Sequence, residues 1–149
     1  MFPYKRNHKP PVLVRVQRLI EKYDKKIALV HARGYLQQYY HNQDILDVIA
    51  DLEYQNGNIV EAGRYWYFSK EHNPIIRKAI YSFEKRYGFS KPLILRKLIF
   101  HHFKSPANFN ISTKIGLYEM IKSIENEEGE VPSYCKTYYE HFKVALNKK

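Results

Sequence analysis

The residues best spaced for chemistry are Arg96 and His101, an arginine, four residues and a histidine in Arg96-Lys97-Leu98-Ile99-Phe100-His101. A histidine acting as general base beside an arginine on a phosphate would suit phosphodiester cleavage. Other candidates fail on geometry. His101 and His102 are adjacent, so on a helix they point about 100° apart and cannot share a metal on one face. Cys135 precedes His141 by six residues, poor spacing for a nucleophile and its base on one helix. The sequence has no His-Glu-x-x-His motif and no glycine-rich phosphate loop, and its six glycines stand singly. One cysteine excludes an internal disulfide and speaks against a cysteine zinc site. No catalytic residue, metal ligand or cofactor is expected.

The Arg96 to His101 spacing resembles the signature of small all-α ribonucleases that carry both residues on one helix, which implies RNA cleavage. Those enzymes usually carry a polar residue after the arginine, where this chain has Lys97. Eight arginines and seven histidines also make one such spacing easy to reach by chance. The ribonuclease therefore stands as an alternative to a protein without catalytic residues.

The elements that must position these side chains read as helices. Proline stands only at edges, and between the prolines apolar residues recur at three and four. Val12, Val16, Leu19, Ile20 and Tyr23 mark a first helix, and Leu29, Ala32, Leu36 and Tyr39 a second. Ile45, Val48, Ile49 and Leu52 mark a third, stopped by Asn56-Gly57-Asn58. A fourth spans about 59–70, with Ala62, Tyr65, Trp66 and Ser69. Ile75, Ile76, Ala79, Ile80 and Phe83 mark a fifth, closed by Gly88. A sixth starts at the Ser90 cap, with Leu95, Leu98, Ile99 and Phe103 inward, and stops at Ser105-Pro106. Ile115, Tyr118, Ile121 and Ile124 give a seventh. The acidic run 125–130 reads as a solvated turn, and Pro132 opens a last helix with Tyr134, Tyr138, Phe142 and Leu146. No segment alternates with period two. The expected fold is all-α, seven to eight helices in stacked antiparallel hairpins. It forms a single domain: an N-terminal arm 1–11, hairpins over 12–88 and further helices over 90–149. No stretch reaches the roughly 18 apolar residues of a membrane span, and neither a signal peptide nor cysteine usage argues against a cytoplasmic protein.

The hairpin around Gly57 resembles a tetratricopeptide unit of about 34 residues. Pro74 would close it, Gly57 falls in the turn, Ala62 takes the small position where two helices cross, and Trp66 fills the groove beside it. One unit upstream, Ala28 and Ala32 fall where Ala62 and Trp66 stand, but Tyr23 and Tyr40 replace the expected turn glycine and closing proline. The segment Gly57-Asn58-Ile59-Val60-Glu61-Ala62-Gly63-Arg64-Tyr65-Trp66-Tyr67 also resembles an uncharacterised family of small bacterial proteins. Its members carry such a hairpin, then Ala-Gly-Arg, then aromatics. The resemblance implies a helical fold over about 12–100 and no activity.

The charge narrows the partner. The 149 residues carry a net +10, which by itself suggests nucleic acid. The charge is unevenly placed: nine basic and two acidic side chains in 1–43, two and six in 44–74, ten and two in 75–122, four and five in 123–149. The block sums are +7, −4, +8 and −1. Asp44, Asp47 and Asp51 share one helix face, as a solvated stripe, a patch for a basic partner, or internal partners of Arg15, Arg18 or Lys22. Arg15, Arg18, Arg77 and Lys78 would meet an acidic partner. The expected function is a non-enzymatic protein-binding protein, most concretely a bacterial immunity protein or antitoxin that masks a toxin such as a nuclease. A helical adaptor and an RNA-binding protein are the alternatives beside the ribonuclease.

Overall fold

A computed structural model describes residues 18, 20–22, 24–39, 43–99 and 109–147. The regular structure of the described residues is all helical, without strands. The helices are α1 (Lys25–Tyr39), α2 (Gln43–Gln55), α3 (Ile59–Trp66), α4 (Pro74–Arg86), α5 (Lys91–Leu98), α6 (Ile111–Glu128) and α7 (Lys136–Asn147), the last entered through a short 3-10 turn at Ser133–Cys135. Residues 18 and 20–22 are helical, but Val12, Val16, Leu19 and Tyr23 of the expected first helix lie outside the described residues. So do the side chains of Leu36 and Tyr39.

Each helix starts and stops for local reasons. Asn73, Ser90 and Asn110 cap α4, α5 and α6, accepting from the backbone N–H of Ile76, Leu93 and Thr113. Gly57 turns the α2–α3 corner at φ +86, and Gly129 closes α6 at φ +83. The acidic run does not begin a turn at Glu125 as expected: α6 continues to Glu128 until that glycine ends it.

Packing runs between chain neighbours, α1 on α2, α2 on α3, α3 on α4, then α5 on α6 and α6 on α7. Helix α2 is the hub, with Ile45, Val48, Ile49 and Leu52 fully buried, as their spacing predicts. Full burial of one such side chain contributes about 1.5–3 kcal/mol. Ala28, Leu29 and Ala32 bury one face of α1 against this core. Some positions expected to point inward do not. Ile75, Ile115 and Tyr134 are exposed, and Ile76, Leu117 and Tyr139 take the buried places.

The crossing of α3 and α4 lies beyond the hairpin that the sequence pattern describes. Ala62 is buried, but Gly63 makes the closest approach, and a Cβ there would overlap the Ala79 carbonyl. Helix α3 ends at Trp66 rather than near Lys70. The chain leaves it so that Phe68 can lie against Gly116 of α6, where a Cβ would meet the ring. Phe68, Tyr67, Phe83 and Tyr87 then form a run of edge-on rings with centroids 5.2, 5.7 and 5.4 Å apart. This run ties the hairpin half to the C-terminal helices. Helix α5 ends at Leu98, with Ile99 already extended, and Phe103 lies outside the described residues.

Exchange of Gly63 for Ala separates propensity from packing. Helix propensity alone would stabilise the variant by about 1 kcal/mol. Overlap with Ala79 reverses the sign, and Gly63→Ala is expected to lose about 1–3 kcal/mol in urea unfolding. A stabilised variant would contradict the close crossing.

Candidate functional site

Helix α2 carries the acids that the sequence singles out, and the fold draws them inward. Asp47 is partly buried, accepting from Gln43 Nε2 at 3.1 Å, with the Ser69 hydroxyl nearby favouring its charged form. The early end of α3 puts Ser69 there. Burial first, with the neighbouring Asp44 and Glu71 carboxylates adding to it, raises Asp47 from 3.8 to about 6. Asp47 lines a cleft of about 390 Å³ with Gln43, Asp44, Lys70, Glu71 and Asn110. The Asn110 amide donates to Gln43 Oε1 at 3.2 Å across that junction. Asp51 accepts from Gln55 at 2.6 Å, and burial raises it too. Asp44 is partly buried and raised by burial.

The acid that sequence reasoning missed is Glu53, fully buried. It accepts from Arg33 of α1 at 2.5 Å and from the Asn58 amide at 2.9 Å, and its backbone carbonyl takes the Asn58 N–H at 2.8 Å. One carboxylate thus holds α1, α2 and the start of α3 in register. The signal was present, because Glu53 follows Ile45 and Ile49 at intervals of four on the apolar face. Glu61 pairs with Arg64 at 3.1 Å, and the Arg64 guanidinium lies 5.1 Å from the Tyr65 ring centroid. The motif residues Gly57, Ala62, Gly63, Arg64, Trp66 and Pro74 thus serve turn, crossing, ion pair, core and helix start.

The chemical candidates separate. Arg96 is exposed on α5 with its guanidinium 4.8 Å from the Tyr134 ring centroid, and His101 lies outside the described residues. Cys135 is buried, its thiol donating to the Pro132 carbonyl at 3.3 Å, and burial pushes it to about 11. That keeps the thiol protonated at neutral pH. No three His, Cys, Asp or Glu side chains converge on a metal position among the described residues. No described helix is long and apolar enough to cross a membrane.

Of the basic candidates, Arg15 lies outside the described residues, and Arg18, Arg77 and Lys78 are exposed. Among the described residues, no ion pair joins Arg18, Arg77 or Lys78 to Asp47 or Asp51. Arg77 and Lys78 share the outward side of α4 with Tyr81 and Lys85, at i, i+1, i+4 and i+8. The one acid of α4, Glu84, accepts from Tyr67 at 2.9 Å.

Fold and side-chain disposition together define a helical-hairpin protein in which several acids of 44–74 have partners within the fold and α4 turns a basic, aromatic side outward. The chain belongs to a family of unknown function (DUF6584), whose sequence profile matches residues 8–143. No curated protein and no solved structure matches the chain.

Two measurements follow. Arg33→Met strands a buried carboxylate and is expected to cost about 3 kcal/mol, most of it recovered when Glu53→Met is added; an additive double variant would contradict the coupling. Asp47 binds its proton more tightly folded than unfolded, so its contribution is full below 3.8 and is lost as pH rises through about 6. Relative to wild type, Asp47→Asn should gain up to about 2 kcal/mol between pH 4 and 7. Parallel stability curves would count against a buried, titrating Asp47.

Proposed function

We propose that this protein is a non-enzymatic protein-binding protein, most concretely a bacterial immunity protein or antitoxin that acts in the cytoplasm by masking a toxin. One observation carries the reading. Four of the six acids of the negative block have partners within the fold, Asp47 with Gln43, Asp51 with Gln55, Glu53 with Arg33 and Glu61 with Arg64. The exposed charged residues of α4, Arg77, Lys78, Lys85 and Arg86, are all basic. A rigid helical stack with charge of one sign on one side supports fast, selective association with an oppositely charged protein. Neutralisation by binding needs no catalytic residue.

The test is co-expression with the protein encoded next to this one. The neighbour alone is expected to arrest growth. The pair is expected to grow and to elute as a stoichiometric complex on gel filtration. A harmless neighbour, or separate elution of the two proteins, would sink the proposal.

A further inference from the structure

We infer that the outward side of α4 and its corner with α5 form the docking surface, and that it fits an acidic protein surface presenting apolar groups between its carboxylates. The inference rests on the protein-binding reading above and names the surface and partner chemistry. Three observations carry it.

The first is charge without internal answer. Arg77, Lys78, Lys85 and Arg86 are exposed, and none has an acidic partner among the described residues. On α5 and α7, by contrast, Lys91 pairs with Glu127 at 2.6 Å and Lys143 with Glu140 at 3.1 Å.

The second is an aromatic pair at the centre of this charge. Tyr81 and Phe89 are 55% and 53% exposed with ring centroids 5.5 Å apart. Leu93, on the first turn of α5, is 49% exposed. Aromatic side chains ringed by arginine and lysine are the composition of residues that dominate protein interfaces.

The third is backbone strain. Phe89 is the one non-glycine residue with positive φ among the described residues, at +57, directly after Gly88 at +63. Its N–H reaches back to the Glu84 carbonyl at 2.8 Å, so the corner is hydrogen-bonded. That bond would form equally well with glycine or asparagine, which adopt this conformation more readily. A phenylalanine held there, with its ring outside the core, breaks a local rule without an internal gain of matching size.

The occupant follows from complementarity. A second copy would set this basic patch against a chain of net +10. A nucleic acid would use ring faces as stacking platforms, but Phe89 leans on Tyr81, and the exposed Leu93 at the start of α5 is aliphatic. An acidic protein surface with apolar groups uses both parts.

The experiment measures affinity for the co-expressed neighbour, with a 20-nucleotide single-stranded RNA as second probe. Phe89→Gly relieves the backbone and should fold at least as stably as wild type, yet bind the neighbour at least tenfold more weakly. The pair Lys78→Glu and Lys85→Glu should slow association and remove its salt dependence. If wild type binds and all variants bind equally well, the surface is overturned while the protein-binding reading stands. If wild type does not bind the neighbour, both fail. If wild type binds the RNA and the charge reversals abolish it, the partner is nucleic acid and the protein occupant is overturned.

Discussion

Helices α3 and α4 approach at Gly63 and Ala79 so closely that no side chain fits between them. That contact fixes the rotation of α4 about its own axis. With Ala79 against Gly63, Ile76 and Phe83 fall into the core at adjacent turns. The opposite side, with Lys78, Tyr81 and Lys85, must then face outward. The orientation of the basic side is thus a consequence of one missing Cβ. The same crossing sets the exit of α3, which sends Phe68 to Gly116 and brings Ser69 to Asp47. Glycine serves here by being absent as a side chain, since neither Gly63 nor Gly116 has a positive φ.

Much of this was legible locally. The four apolar residues of α2, the Gly57 corner, the Ser90 cap and the Gly88 stop are short-range features, decided by period and by backbone preference. Gly63 was harder. Its neighbour Ala62 fits a known hairpin pattern and is indeed buried, but which small residue meets the next helix depends on a rotation of about 100° that composition does not set. Glu53 is readable from its spacing after Ile45 and Ile49, although a carboxylate on an apolar face runs against the usual preference of its residue type. The setting of Asp47 was not readable. Its cleft is completed by Asn110, far along the chain, and by a turn that exists only because α3 ends early.

The same long-range packing revises the meaning of the net charge. Along the chain, a negative block separates two positive ones. In space, that block's carboxylates mostly turn to partners inside the fold, so it separates the basic regions less than its position suggests. Glu84 is similarly drawn to Tyr67, and Glu125 accepts from Tyr139 at 3.0 Å. The exposed charge of α4 is one-sided because its one acid, Glu84, is half-buried while its four basic side chains are exposed.

One-sidedness matters because of length. From Arg77 to Lys85 the helix rises about 12 Å, not much more than the screening length of about 8 Å at physiological salt. Cations so close act on an approaching partner partly as a set, and they also repel one another in the free protein. A partner's carboxylates would relieve that repulsion, whereas desolvation of Tyr81 and Phe89 would supply attraction that salt does not screen. The two contributions separate in kinetics, charge acting mainly on association and apolar burial on dissociation. A surface that combines both on one rigid helix suits a partner that must be captured quickly and then held.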